Sequence, residues 1–221
     1  MNKLWVFGDS YSEPFSKIEE SILWKRNYIQ WKGYTPKCYS EIVADKLQIK
    51  HINLAIGGAD NYTILDSIIN VIHSISADDI IIIGWSDTIR FRVVNKDNAF
   101  TTIRPNSTKK PIAELSKSTL IELTINRDSS RYIDELNNYI KLINFSFKKN
   151  KVIHWSPFVH LKDRILSTKK SLINLEMVSQ ETNGIVDDSH FSENAHYKLA
   201  EYFFDTINSY EYLTDKKINI I

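Results

Sequence analysis

One cysteine, Cys38, stands among 221 residues. A lone thiol rules out an internal disulfide and gives no sign of an oxidising compartment. No motif surrounds Cys38, so a small, semi-buried residue is expected rather than a thiol nucleophile. Excess charge is missing too. With 28 basic and 27 acidic residues the net charge is +1, so no global field argues for nucleic acid or an anionic membrane. The pairs Lys109-Lys110 and Lys169-Lys170 are scattered and suit solvated faces. Long apolar runs are absent: the longest, Ile80 to Trp85, is far too short for a membrane span. No secretory leader is expected, because the first apolar run starts directly after Met1-Asn2-Lys3. The expected location is the cytoplasm, with non-classical export or packaging in a particle left open. No set of His, Cys and carboxylates shows metal-ligand spacing, so neither metal nor cofactor is expected. No repeat, low-complexity tract or linker divides the chain. At 43% apolar and 25% charged residues it suits a single globular domain over 1–221.

What is present is an alternation of strand and helix signals. A strand is expected at Lys3 to Phe7. The capping box Ser16-Lys17-Ile18-Glu19 opens a helix expected to run to Lys32, with Gly33 as its stop and Trp24, Tyr28 and Trp31 on one face. A second helix, Cys38 to Leu47, leads to a strand at His51 to Ile56. Tyr62 to Ser74 has a helical period in Ile64, Leu65, Ile68, Ile69 and Ile72. The isoleucine run Asp79 to Gly84 reads as a strand covered on both faces, as in parallel sheets. Thr88 to Val94 alternates and precedes Asn95-Lys96-Asp97-Asn98, a hairpin signal, inside an insertion 88–126 expected near the sheet's carboxyl rim. A helix at Tyr132 to Phe147, a strand at Lys151 to Trp155, a partly helical stretch at Leu161 to Glu181, a short fifth strand at Gly184 to Val186 and a last helix at Glu193 to Tyr210 complete the order. The expected fold is α/β: a three-layer α/β/α sandwich on a flavodoxin-like, parallel, five-stranded sheet.

Four short motifs then fall at carboxyl ends of strands, where open parallel sheets bind ligands. They are Phe7-Gly8-Asp9-Ser10, Asn53-Leu54-Ala55-Ile56-Gly57-Gly58, Gly84-Trp85-Ser86-Asp87 and, before the last helix, Asp187-Asp188-Ser189-His190. A histidine three residues after an aspartate can take a proton from a serine while the aspartate holds the imidazole. Taken singly, each motif has a bland reading. Ser10 can cap a helix, Asp187 and Asp188 can cap the last one, and Gly57-Gly58 can be a tight turn. Asp187 is favoured by spacing over Asp188, and Asp87 is expected to brace the rim by hydrogen bonds.

In these motifs the chain resembles the SGNH, or GDSL, hydrolase family from Gly8 to His190. The resemblance implies Ser10 as nucleophile, Asp187 and His190 as its partners, and an oxyanion hole from the backbone N–H groups of Ser10 and Gly58, with Gly57 one register away. One departure is plain: Ser86 stands where the family has asparagine. A hydroxyl is shorter than an amide, so either Ser86 donates directly or through water, or that donor is missing. Loss of one such donor typically costs ~100- to 1000-fold in rate.

The resemblance implies a serine hydrolase acting on a small-molecule or glycan ester, in particular a short-chain or carbohydrate O-acyl esterase. Lipase, thioesterase or acyltransferase work on the same triad, and a non-catalytic glycan-binding or structural module, are the alternatives. Rim aromatics suit sugar faces or acyl groups: Trp85, Tyr11, Trp155 and, among histidines, His154 are candidate substrate contacts. The stripe of Trp24, Tyr28 and Trp31 either overhangs the site or packs the core. Arg90 and Arg92 either meet an anionic substrate or belong to a solvated hairpin. An oligomer is left open. No Gly-rich phosphate fingerprint follows the first strand, which disfavours a nucleotide-binding flavodoxin-like protein. The Gly-x-Ser-x-Gly elbow is absent, which disfavours the α/β-hydrolase fold.

Overall fold

A computed structural model describes residues 2–17, 23–94, 100–103, 129–158, 161 and 190–209. Six strands lie in two sheets: β1 (Lys3–Gly8), β2 (Lys50–Asn53), β3 (Ile80–Gly84), β4 (Phe91–Val94), β5 (Phe100–Ile103) and β6 (Lys151–Trp155). Among the described residues five α-helices accompany them: α1 (Leu23–Lys32), α2 (Tyr39–Leu47), α3 (Asn61–Val71), α4 (Ser129–Ser146) and α5 (Glu193–Asn208). The main sheet is parallel with order β2-β1-β3-β6. It has four strands among the described residues rather than the expected five. The segment expected to supply the fifth, Gly184 to Val186, lies outside them, as do most of Leu161 to Glu181 and the insertion beyond the β4–β5 pair.

Alternation along each strand makes the layers. Leu4 and Val6 of β1, Ile80 and Ile82 of β3, and Ile153 of β6 face one way, onto α2 and α5 through Ile42, Val43, Leu199 and Phe203. Trp5 and Phe7, and Ile81 and Ile83, face the other way, onto α3 and α4 through Ile64, Ile68, Leu136 and Ile140. The four isoleucines of β3 are 0–8% exposed, and burying each contributes roughly 1.5–3 kcal/mol. An apolar run with no polar face is therefore what a strand covered by helices on both sides requires. The result is the expected three-layer α/β/α sandwich.

Local signals set the ends. Asp60 caps α3, its Oδ1 accepting the N–H of Thr63 at 2.7 Å, and Ser192 caps α5, its Oγ accepting that of Ala195 at 3.1 Å. Gly33 closes α1 at φ +77°, its N–H reaching the Ile29 carbonyl. The capping box does not open a helix at its own first residues, where the Lys17 N–H closes a turn onto the Pro14 carbonyl; 18–22 lie outside the described residues, and α1 is described from Leu23. The expected hairpin exists as antiparallel β4–β5, with Arg92 opposite Thr102.

The order of strands places the functional rim. The chain leaves β1 toward β2 on one side and returns to β3 on the other. The crevice of such a sheet opens where that direction reverses, beyond the carboxyl ends of β1 and β3. Gly8 and Gly84 are register partners there. A Cβ on Gly8 would stand 2.5 Å from Ser12 Oγ and 2.9 Å from the Gly84 carbonyl, and one on Gly84 would stand 2.9 Å from Trp155 Nε1. Only glycine fits at this pair, and the Ser12 hydroxyl, held by the Tyr39 hydroxyl at 2.9 Å, fills the space.

Candidate functional site

After Gly8 the chain makes a tight turn. The N–H groups of Ser12 and Glu13 both reach the Asp9 carbonyl, at 2.9 and 3.1 Å, so Ser10 sits at the crest of this turn, partly exposed. The Asp9 side chain points into the protein and is 1% exposed. Its Oδ1 accepts the Tyr11 N–H at 3.1 Å. Its Oδ2 accepts the Ser86 hydroxyl at 3.0 Å and Arg90 Nη1 at 2.8 Å. Arg90 Nη1 also donates to the Ala59 carbonyl at 3.3 Å. One carboxylate thus ties the turns after β1 and β3 together, and the guanidinium extends the tie to the turn after β2. Burial raises the Asp9 carboxyl above its ordinary range, opposed first by Arg90 and then by the hydrogen bonds from Tyr11 and Ser86.

The turn after β2 runs alongside. The Leu54 and Ile56 N–H groups bond the Val6 and Gly8 carbonyls, at 2.8 and 3.0 Å, which carries Gly57 and Gly58 up beside the Ser10 turn. Gly58 is buried with φ +81°, a conformation glycine adopts without strain. Gly57 gives its N–H to the Glu13 carboxylate, which burial raises and that hydrogen bond, Lys17 and His190 lower. Of the two glycines, Gly58 is therefore the one whose N–H is not engaged by Glu13. Asn53 bonds the Ser12 carbonyl at 2.8 Å and the Ala55 N–H at 2.9 Å, locking this turn to the first.

Ser86 is turned inward. Its hydroxyl has one proton, and that proton goes to Asp9. Its backbone N–H goes to Asn61 Oδ1 at 2.7 Å, while Asn61 Nδ2 donates to the Ser86 carbonyl at 3.0 Å. Fully buried and with both donors engaged, Ser86 holds the rim rather than facing a substrate. Asp87 braces the rim by hydrogen bonds as expected, and Asp9 adds the ties between turns. Asp87 makes a local turn, accepting the Ile89 N–H on Oδ1 at 3.1 Å and the Arg90 N–H on its carbonyl at 3.2 Å.

His190 lies just before the Ser192 cap of α5. Its ring stacks on that of Tyr11, the residue after Ser10, with centroids 5.2 Å apart. Phe191 packs on the same tyrosine at 5.0 Å. His190 also lies close enough to lower the pKa of both Asp9 and Glu13. The last motif's histidine is thus brought to the first motif's serine turn. Asp187, Asp188 and Ser189 lie outside the described residues.

All four candidate substrate contacts are buried. Trp85 is fully buried and its Nε1 donates to His154 Nδ1 at 3.0 Å, with the rings stacked. His154 is therefore the Nε2–H tautomer, donating to Asn144 Oδ1 at 3.0 Å, and desolvation lowers its pKa to about 3. Trp155 packs among Tyr39, Phe191 and Phe203. Tyr11 is mostly buried and acts as the platform for His190. The Trp24, Tyr28 and Trp31 stripe is core-facing at Tyr28, which is fully buried, stacks on Phe15 at 5.6 Å, and accepts the Glu193 N–H at 2.8 Å. Cys38 is fully buried rather than semi-buried, and burial pushes its thiol up to about 12.

The residues that the sequence reading left without a role are Asp9 and Asn61, and Arg90 is neither on a solvated hairpin nor free for an anion. Beside the rim, Arg90 forms one wall of a cleft of about 190 Å³, between the start of α3, the inner face of α4 and the entry to β4. Among the described residues no group of His, Cys, Asp and Glu could hold a metal ion, and no helix is long and apolar enough to cross a membrane.

No family model and no curated protein matches the chain. Solved structures do. One assigned to the G-D-S-L family of lipolytic proteins, from Desulfitobacterium hafniense DCB-2, is similar over 93% of this chain and 99% of its own, at 12% identity and a TM-score of 0.41. A carbohydrate esterase, whose active site is described as showing divergent catalytic and non-catalytic binding functions, is similar over 95% of this chain and 69% of its own, at 12% identity and a TM-score of 0.49. An acetyl xylan esterase from the rumen bacterium Butyrivibrio proteoclasticus is similar over 95% of this chain and 65% of its own, at 12% identity and a TM-score of 0.43.

Proposed function

We propose that the chain, as one SGNH-like domain over 1–221, is a serine hydrolase that cleaves an ester through an acyl-enzyme. The observation that carries this reading is the convergence on one rim of the Ser10 turn, the Gly58 turn and His190. In the proposed mechanism Ser10 Oγ attacks the ester carbonyl. His190 takes its proton and returns it to the leaving alcohol, and Asp187 holds the imidazole tautomer. The N–H groups of Ser10 and Gly58 meet the developing oxyanion. Water then attacks the acyl-enzyme by the same route in reverse.

Ser86 has no part in the oxyanion hole of this mechanism, because its donors serve Asp9 and Asn61. A hole of two donors predicts a slow enzyme, by ~100- to 1000-fold against one with three. The partly exposed rim and the small cleft favour short acyl groups on a small-molecule or glycan alcohol over a long lipid chain.

The engagement of Ser86 also favours a second reading, a non-catalytic module of the same fold. Hydrolysis of p-nitrophenyl acetate and butyrate by the wild type and by Ser10→Ala separates the two. A serine hydrolase loses turnover by ~10⁴-fold or more in the variant, and a fluorophosphonate labels Ser10. No turnover and no labelling leaves the non-catalytic module.

A further inference from the structure

The 190 Å³ cleft beside the rim is not used by the chemistry above. Its position ties it to the rim. Arg90 in its wall holds Asp9, and Asn61 holds Ser86. A group seated in the cleft would therefore lie against the residues that brace the Ser10 turn.

The lining has a particular chemistry. Tyr62, Tyr132 and Tyr139 supply ring faces, and Arg92, Asp60 and Glu135 supply planar donors and acceptors. Leu136 is the one aliphatic residue among the described lining residues. The apolar part of this lining is thus mostly ring face rather than the aliphatic wall suited to a fatty acyl chain. Sugar hydroxyls both donate and accept, so they need guanidinium and carboxylate groups together, and the C–H face of a sugar packs on an aromatic ring.

Tyr62 is pre-set for that task. The Arg92 guanidinium lies 3.5 Å from its ring centroid, which fixes the plane of the ring while half of the residue stays exposed. Arg92 is itself placed by the hairpin. Its register partner Thr102 donates to Asp60 Oδ2 at 3.5 Å, joining β5 to the cap of α3. A preset aromatic face costs little to order on binding. The volume is also telling. At about 190 Å³ it lies below the roughly 300–1,000 Å³ of pockets for drug-sized ligands.

We infer that this cleft is a saccharide subsite, seating one sugar ring on Tyr62 with Arg92 and Glu135 on its hydroxyls, so that an acyl group on that sugar lies at Ser10. The placement of the acyl group rests on the hydrolase reading; the binding of the sugar does not.

Saturation-transfer NMR on the full chain, with methyl β-glucopyranoside, methyl β-xylopyranoside and hexanoate as probes, tests it. Saturation is expected on the ring C–H protons of at least one glycoside. It should fall about five- to tenfold in Tyr62→Ala and in Arg92→Gln and persist in Tyr62→Phe, which keeps the ring face. Tyr62 is half exposed, so its variants should fold, and melting curves check this. No glycoside signal, a signal unchanged in both variants, or saturation of hexanoate alone overturns the inference. Ester turnover without glycoside binding removes the subsite and keeps the hydrolase; glycoside binding with an unreactive Ser10 does the reverse.

Discussion

Replacing Arg90 by methionine should destabilise the protein in a way that depends on pH. In the wild type Arg90 Nη1 is 2.8 Å from Asp9 Oδ2, and the two side chains are 13% and 1% exposed. Breaking a buried pair by removing one partner costs about 3–5 kcal/mol. Asp9 keeps the Ser86 hydroxyl and the Tyr11 N–H, and these offset part of the loss, so about 2–4 kcal/mol is expected near neutral pH. The cost has a ceiling, because Asp9 can take up a proton. Holding a proton one pH unit above the pKa costs about 1.4 kcal/mol. Burial already raises the Asp9 carboxyl despite Arg90, and without the guanidinium it rises further. As pH falls toward that raised value, the folded variant binds a proton that the unfolded chain does not. The stability deficit must therefore shrink on acidification and widen as pH rises. Urea unfolding followed by tryptophan fluorescence at about pH 7.5 and about pH 5.5 measures both the size and the trend. Asp9→Asn added to Arg90→Met removes the stranded charge and should recover most of the loss at the higher pH. A deficit below about 1 kcal/mol that is flat in pH would refute the reasoning, since that is the behaviour of a solvated surface pair.

Two further outcomes follow from single residues. Gly58→Ala should cost about 1–2 kcal/mol, because a Cβ is strained at φ +81°, and should lower kcat for p-nitrophenyl acetate as the N–H turns away. Gly57→Ala should cost less on both counts, because its Cβ would meet only the carboxylate end of Glu13, at 2.7 Å. The reverse order would assign the oxyanion donor to Gly57. Separately, Cys38, buried and with its thiol pushed up to about 12, should stay silent to a disulfide reagent in the native protein and react fully in urea. Reaction in the native state would mean that the α2 start opens readily.

The strands were the most legible part of the sequence. Continuous apolar runs at Lys3 to Phe7 and Ile80 to Gly84 can be satisfied only between two helical layers, and both lie where they were expected. Strand β2 spans Lys50–Asn53 rather than the expected His51 to Ile56, although the Leu54 and Ile56 N–H groups go on bonding the Val6 and Gly8 carbonyls, so the chain stays alongside β1 to Ile56. Side-chain direction was the harder matter. Trp85 follows a strand, so it looked like a rim aromatic. It instead continues the alternation of Ile81 and Ile83 into the α3–α4 layer, and extending period two by one residue would have revealed this. Trp155 continues Ile153 onto the other face in the same way. The Asp9–Arg90–Ser86 contacts could not be read at all. They join residues 77 and 81 positions apart, and no local pattern in a sequence encodes which loops a sheet will bring face to face.

Those same separations govern when the rim can exist during folding. A contact between neighbours on a helix forms early and locally, whereas closing a loop of some 80 residues pays its chain entropy before any contact repays it. The Asp9 hub therefore waits for β1, β2 and β3 to be docked in order. Until then the serine turn, the glycine turn and Arg90 are separate pieces of chain with nothing to hold them in register. The competence of the rim therefore reports that β1, β2 and β3 are docked side by side.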